Sequence, residues 1–287
     1  MPAIVLPKVF DHELLSRHLL RRPAGRDDFV TRLVLADLAD RLGTVTRQFR
    51  QALILSPDPA PLPTTGHSAS GPFAFERASS VLQVAGIPLV DPEALELPRR
   101  GYDLIVSIFD LDVVDDVPGF LARARAHLGP DGLFLAAAIG GDSLTELREA
   151  FLTADAETGG GAFLRVAPFI PLSAAAGLLQ RAGLALPVSD VETHVVRYAS
   201  PLALMRELKA LGASNPLADR PTRLATPRLL AAASTAYQAL AADADGRVRA
   251  TLEIVWMSGW APHESQQKPL RPGSAEISLA KVLGSRA

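Results

Sequence analysis

The sequence predicts an α/β fold: a mostly parallel sheet with an antiparallel late edge and a helical insertion. Three observations carry this. Residues 101–150 read as an apolar run, an acidic turn, a helix stopped at Gly129-Pro130 and a second apolar run entered through Asp131-Gly132. Apolar runs alternate with helical patterns from 52 to 138, as right-handed parallel crossovers require. Two late strand patterns, 188–198 and 250–257, enclose helical patterns over 201–211 and 226–242.

Taken in order, residues 11–22 put Leu14, Leu15, His18 and Leu19 on one side of a helix, with Arg17, Arg21 and Arg22 around it. This is either a solvated lid helix or a basic face for an anionic partner. A longer helix is expected over 28–41, with Gly43 as its stop, and residues 52–55 read as the first central strand. Pro57, Pro59, Pro61 and Pro63 follow, too many for a regular helix start. Short strands are expected at 73–75 and 87–90, separated by a helix over 78–84. The run 102–108 is apolar enough for a central strand covered on both faces. A helix over 117–128, a strand over 133–138, a helix from Ser143 to about 154, a glycine run at 159–161 and a helix over 173–182 complete the middle of the chain. The organisation expected is one structural domain: N-terminal helices in 1–50, a Rossmann-like core in 51–199, the helical insertion in 200–245, and the final strand with its tail in 246–287.

With 287 residues, 48% of them hydrophobic and 21% charged, the chain can bury a sizeable core. A formal net charge of −2 gives no global reason to expect nucleic acid. The absence of cysteine excludes disulfides, thiolate metal sites and a cysteine nucleophile. The opening residues carry two prolines and no uninterrupted apolar region, and no stretch approaches a membrane span, so the reading is cytoplasmic, peripheral to the inner membrane at most.

In open α/β sheets a ligand sits at the carboxyl ends of the strands. Glu76, after the second expected strand, is placed to accept from ribose hydroxyls, and Asp91, after the third, from an adenine amino group. Ser56 and Asp58 stand where a dinucleotide or S-adenosylmethionine (SAM) fingerprint needs glycines, which turn tightly and present free N–H groups. The prolines there remove donors, so SAM is expected to bind weakly or not at all. After the fourth strand come Asp110, Asp112, Asp115 and Asp116. They either hold a cation or share a proton as an acid/base pair, or else Asp115 and Asp116 cap the next helix, leaving Asp110 and Asp112 to face the crevice as candidate catalytic residues. None of the six histidines is paired at a two-histidine helical spacing, and no metal is expected. Ser265 has no nucleophile elbow around it. His194 reads as a packed or surface histidine.

Several segments resemble one family. They are Phe10-Asp11 with the following Leu-Leu-Arg-Arg, the run 102–107, Asp116-Val117-Pro118, Gly129-Pro130-Asp131-Gly132-Leu133-Phe134, and Gly140-Gly141-Asp142-Ser143-Leu144 with Glu146-Leu147-Arg148. Pro168-Phe169, Arg181-Ala182-Gly183, Met205 with Leu208, Leu211-Gly212 and Ser214-Asn215, and Gly259-Trp260 with His263-Glu264-Ser265-Gln266 extend the match over nearly the whole chain. Together they resemble the methyltransferase-like family of the mitochondrial complex I assembly factor with arginine-hydroxylase activity and its alphaproteobacterial relatives. The resemblance implies a class I SAM-dependent methyltransferase fold and the modification or handling of a protein subunit of NADH:quinone oxidoreductase, in relatives an arginine of an iron–sulfur subunit. The family's Asp-Leu-Gly-Cys-Gly type of loop stands here as Leu55-Ser56-Pro57-Asp58-Pro59, and its Leu-His-Trp motif as Leu111-Asp112-Val113. Three readings stay open: a protein-modifying transferase or hydroxylase, a non-catalytic assembly protein on the same scaffold, and a small-molecule methyltransferase of the biotin-pathway type. For the partner, Gly141, Asp142, Glu146, Arg148, Trp260 and His263 are expected to form a polar surface beside the crevice. The alternative is that Asp142 caps a helix while Trp260 and His263 complete the core.

Overall fold

The computed structural model describes residues 8–23, 25, 27–158 and 161–267. The two ends of the expected N- and C-terminal segments, and two of the three glycines at 159–161, lie outside the described residues.

Seven strands form one sheet in the order β2-β3-β1-β4-β5-β7-β6. Their ranges are β1 Ala52–Ser56, β2 Thr65–Ser68, β3 Gly71–Ser79, β4 Tyr102–Ile108, β5 Leu128–Ile139, β6 Ala185–Tyr198 and β7 Val248–Trp260. The expected parallel neighbours are found: Leu53 lies opposite Ile105, and Ile105 opposite Phe134. The last strand inserts antiparallel between β5 and β6, pairing Ala136 with Met257 and Val191 with Val255. This is the class I methyltransferase arrangement that the late strand patterns imply.

The strands alternate side chains between two cores. Leu53, Leu55, Ile105 and Phe134 pack under α3 (Val117–His127) and α5 (Leu172–Arg181). Ile54, Leu104, Val106 and Trp256 pack under Val34, Leu38 and Leu42 of α2 (Phe29–Thr44). Because both faces are covered, the central strands read as continuous apolar runs rather than alternating ones. The segment between β6 and β7 supplies α6 (Pro201–Ala210) and α7 (Pro227–Ala241), each begun by a proline in its first turn and capped by Ser200 or Thr226. They bury Leu204 and Tyr237 against Leu147 of α4 (Thr145–Thr158). Ahead of α2, α1 (His12–Leu20) is capped by Asp11, whose side chain accepts from the Leu14 N–H.

Four expectations need correction. β3 does not stop at residue 75 but runs to Ser79, because Ala78 and Ser79 are fully buried opposite Leu55 and Ser56. The sheet overrides the helical pattern read at 78–84, and no helix forms there. The strand expected at 87–90 is reduced to isolated bridges, Ser79 to Leu89 and Val84 to Ile87. Its place at the sheet edge is taken by β2, an antiparallel hairpin partner of β3 that the proline stretch concealed. α2 continues through Gly43, and its end is set by extended Val45 instead.

Candidate functional site

Two consequences of the edge matter for the site. In a doubly wound sheet the chain leaving the first strand enters a helix whose N-terminus faces the ligand. Here residues 57–64 instead pass directly to β2, with no helix, and carry four prolines. No helix connects β3 to β4 either.

The longer β3 also moves Glu76 away from the strand ends. It stands in register with Leu53, one residue into β1, and its carboxylate accepts from the Tyr102 hydroxyl at 3.1 Å beside Arg99 at 3.3 Å. Burial first, and then that carboxylate, push the Tyr102 phenol above its ordinary range. The expected position at a strand terminus is therefore not where Glu76 lies. Asp91 is exposed and caps its own turn, accepting from the Glu93 N–H at 2.9 Å. Asp58 is ion-paired with Arg22, and its other oxygen accepts from the Ala60 N–H at 2.9 Å. Ser56 is buried, its hydroxyl 3.4 Å from the Asp58 nitrogen.

The residues that do occupy the ends of β1, β3 and β4 are stitched to one another. Ser80 N–H donates to the Ser56 carbonyl at 3.0 Å, and the Ser79 hydroxyl lies 3.4 Å from the Pro57 carbonyl. Asp110, fully buried, accepts from Ser80 Oγ at 2.5 Å and from Ser107 Oγ at 2.7 Å. Burial pushes its carboxyl up to about 7, against the opposing pull of these two hydroxyls. Neither serine was singled out in the sequence, and no spacing signal marks them: Ser80 is brought to Asp110 only because β3 is longer than its pattern.

The acidic turn itself divides its labour. Phe109 takes a left-handed backbone (φ 66°), which swings the chain sharply off β4. Asp112 then points across the ends of β4 and β5, accepting from the Ile139 N–H at 3.0 and 3.1 Å. Burial is the main cause raising its carboxyl well above the usual range, with the Ile139 bond opposing and the Asp110 charge adding. Asp115 accepts from the N–H groups of Val9 and Phe10, at 3.0 and 2.9 Å, and so ties down the segment before α1. Asp116 caps α3 through the Gly119 N–H at 2.9 Å. Each carboxylate has its own donors, and the described residues contain no group of three or more His, Asp or Glu that could hold a metal ion.

Above the strand ends lies a cavity of about 710 Å³. Its floor includes Ser56, Phe109, Asp112 and Ile139; its walls come from α1, α4, α6 and the segments 165–169 and 211–225. Asp112 is half-buried and opens onto it, whereas Asp110 lies behind the floor.

The expected partner surface is not brought together. Gly140 to Ser143 follow the carboxyl end of β5, while Trp260 pairs with Leu133 in the middle of β5, about 20 Å away along the strand. The two glycines serve this chain's own packing: a Cβ on Gly140 would sit 2.5 Å from Cβ of Glu253, and one on Gly141 3.1 Å from Cα of Pro171. Glu146 is not free, since it accepts from the Thr251 N–H at 3.1 Å and the Thr251 hydroxyl at 2.6 Å. Arg148 reaches the Ser143 carbonyl at 3.4 Å. Asp142 is exposed, and its N–H donates to Glu253 at 3.0 Å. Trp260 packs on the α2 side of the sheet with Arg47 over its ring, and exposed His263 lies 2.7 Å from the Ser265 hydroxyl.

No family model matches the chain. It is 35% identical over 194 residues to the mitochondrial arginine-hydroxylase NDUFAF5 of Danio rerio, a match that covers 68% of this chain but 60% of that protein. It is 34% identical over 189 residues to the malonyl-[acyl-carrier protein] O-methyltransferase of Halorhodospira halophila, covering 67% of this chain and 62% of that one. The Homo sapiens arginine-hydroxylase NDUFAF5 is 32% identical over 287 residues, 96% of this chain and 83% of its own length. With that extent of match, on a sheet of class I methyltransferase order, the chain belongs to the family of the arginine-hydroxylase NDUFAF5.

Proposed function

We propose that this protein uses a methyltransferase-like scaffold to modify or handle a protein subunit during assembly of NADH:quinone oxidoreductase, and that its SAM site is degenerate. The observation that supports both parts is the contrast between the two halves of the strand ends. The half that would hold a nucleoside has no glycine loop and no following helix, and serines stand where β3 ends. These residues do not fit SAM in the usual mode. The other half keeps a large cavity with a carboxyl at its floor. The name of the relatives makes an arginine side chain the first target to examine.

A calorimetric titration with SAM tests the cofactor part: binding in the micromolar range would overturn it. For the partner part, Asp112→Asn is expected to impair complex I maturation in the parent organism while the purified variant stays folded. Normal maturation in that strain would refute the reading.

A second reading, a non-catalytic assembly protein, is favoured by the proline loop. Mass spectrometry of the subunits from wild-type and deletion strains separates the two. An arginine modification present only in the wild type supports chemistry, and identical masses with defective assembly support binding alone.

A further inference from the structure

The last strand of the sheet, β6, has a neighbour only on its inner side, where it pairs with β7. That pairing fixes which of its backbone groups face out. Thr251 and Glu253 of β7 turn theirs away from β6: the Thr251 N–H meets Glu146 and its carbonyl accepts from Leu144, while the Glu253 carbonyl accepts from Gly140 and its N–H meets Ser143. Val195 and Thr193 stand opposite these two, so their own groups point outward, and alternation adds Ser189, Val191 and Arg197. Among the described residues no other backbone group meets them. The strand is regular from Val188 to Tyr198, bounded at one end by an irregular pairing where Leu186 has a φ of 50°, and at the other by Ser200, which caps α6. It holds neither lysine nor proline, the residues that commonly guard an open edge, and Val188 and Val195 are 57% and 59% exposed.

We infer that this edge pairs with itself: two copies of the chain join β6 to β6, antiparallel about a two-fold axis through Thr193, and make one continuous sheet. Length and charge both select that register. Thr193 is the midpoint of the regular stretch 188–198, so a two-fold there overlaps all of it. Val191 then lies opposite Val195 of the second copy, Val188 opposite Tyr198, and Glu192 opposite His194, twice over. Residues 192 and 194 do not point their backbone groups outward, so they form the non-hydrogen-bonded pairs, whose side chains approach most closely. A carboxylate meets an imidazole there, and Thr193 meets Thr193, both favourable cross-strand pairs. Other registers lose this match. A two-fold at Val191 sets Asp190 against Glu192, one at Glu192 sets that carboxylate against its own copy, and one at His194 sets imidazole against imidazole; like charges directly opposite are destabilising. The remaining charges of the strand are already held within one copy, Asp190 by Arg41 at 2.8 and 2.5 Å, and Arg197 by Asp243 and Asp245 at 2.9 and 2.7 Å. Val196 and Tyr198 also line the cavity, so pairing sets Asp190 and Val188 of the second copy beside its wall.

Analytical ultracentrifugation of the full chain over a range of concentrations tests this. A dimer is expected, and amide hydrogen exchange of the wild type should find Val191, Thr193 and Val195 protected at high concentration and open on dilution. Thr193→Pro removes an outward N–H that β7 does not use, at a kind of position where edge strands tolerate proline, so the variant should keep its circular dichroism and become monomeric. Because the chain has no cysteine, a single introduced thiol reports the register. Under a mild thiol oxidant Thr193→Cys should form a cross-linked dimer, since hydrogen-bonded opposite residues lie about 5.5 Å apart between Cα atoms, within disulfide reach. Val191→Cys should not, because its own copy lies four residues along the strand, roughly 14 Å away. Glu192→Lys should weaken the dimer roughly tenfold or more, by making two attractive pairs repulsive. A chain monomeric at every concentration, a dimer that survives Thr193→Pro, or cross-linking at 191 as ready as at 193 would overturn the inference. So would an edge protected only when a strand of another protein is added, which would give β6 a different occupant. The concentration dependence of exchange is read on the wild type, so a misfolded variant does not blunt the test.

Discussion

Asp110→Asn is expected to stabilise the protein, and to do so more as pH rises. The folded carboxyl is pushed up to about 7 from an ordinary 3.8, because it is fully buried. Over that interval the folded chain keeps a proton that the unfolded chain releases. The stability it contributes is therefore fully present below about pH 4 and is lost as pH rises through about 7. Asparagine copies the neutral acid in shape, and its amide oxygen and nitrogen can meet Ser107 and Ser80 in place of the carboxyl's acceptor and hydroxyl. From about pH 5.5 to full ionisation above pH 8, wild type crosses roughly 1.5 units of that interval at about 1.4 kcal/mol per unit. The advantage of the variant should then grow by about 2 kcal/mol between pH 5.5 and pH 8.5. Asp112 is raised in the same direction, and its repulsion by Asp110 disappears in the variant, which acts with the same sign. Urea unfolding of both proteins at the two pH values measures this directly. A stability difference that does not change with pH would show that Asp110 does not titrate over this interval, and would refute a folded carboxyl near 7.

Three further outcomes are expected. Glu76→Ala should lower stability by about 1–3 kcal/mol in urea unfolding, by leaving the buried Tyr102 hydroxyl without its acceptor. Unchanged stability would contradict the Tyr102 contact. Glu146→Ala should cost about 1–3 kcal/mol in thermal or urea unfolding because Thr251 loses its acceptor, whereas His263→Ala, at an exposed position, should leave the melting temperature nearly unchanged. Equal melting temperatures for the two variants would contradict the Thr251 contact. Arg22→Ala should destabilise by about 1–2 kcal/mol, since it leaves Asp58, largely buried, without its counter-ion, and proteolysis should then cut first near residues 57–64.

How much of this was legible from residues alone follows the physics of each part. The central strands were readable because burial on both faces forces apolar runs such as 102–108, and the helix over 117–128 because Asp116, Pro118 and Gly129 punctuate it. The sheet edge was not. Ala78 and Ser79 carry no strand signal of their own and are extended only because Leu55 and Ser56 stand beside them, a contact that propensity does not register. Misplacing that strand end by four residues moved Glu76 into the crevice on paper and hid Ser80 from it. The partner surface failed for a related reason. Gly140-Gly141 and Trp260 are specific as sequence, but the register of β5 with β7 holds them about 20 Å apart, and both glycines face this chain's own backbone or side chains.

The misread elements of the sheet lie at one edge, in the segments that leave β1 and β3. β1, β4 and β5 pair in parallel and bury side chains in both cores, so a change there would empty two cores at once. The segments leaving β1 and β3 carry no such double constraint. Four prolines, a loop without a helix and a serine at the end of β3 are compatible with the sheet there, provided that the local polar groups find partners. They do: Ser80 and Ser107 turn to Asp110, and Arg22, just after α1, reaches Asp58. Asp112 faces the other way, toward the cavity above the strand ends. On the proposed function the target meets this cavity, so Asp112, which opens onto it, is the position whose substitution should separate binding from folding, whereas Asp58, paired with Arg22, should report on folding.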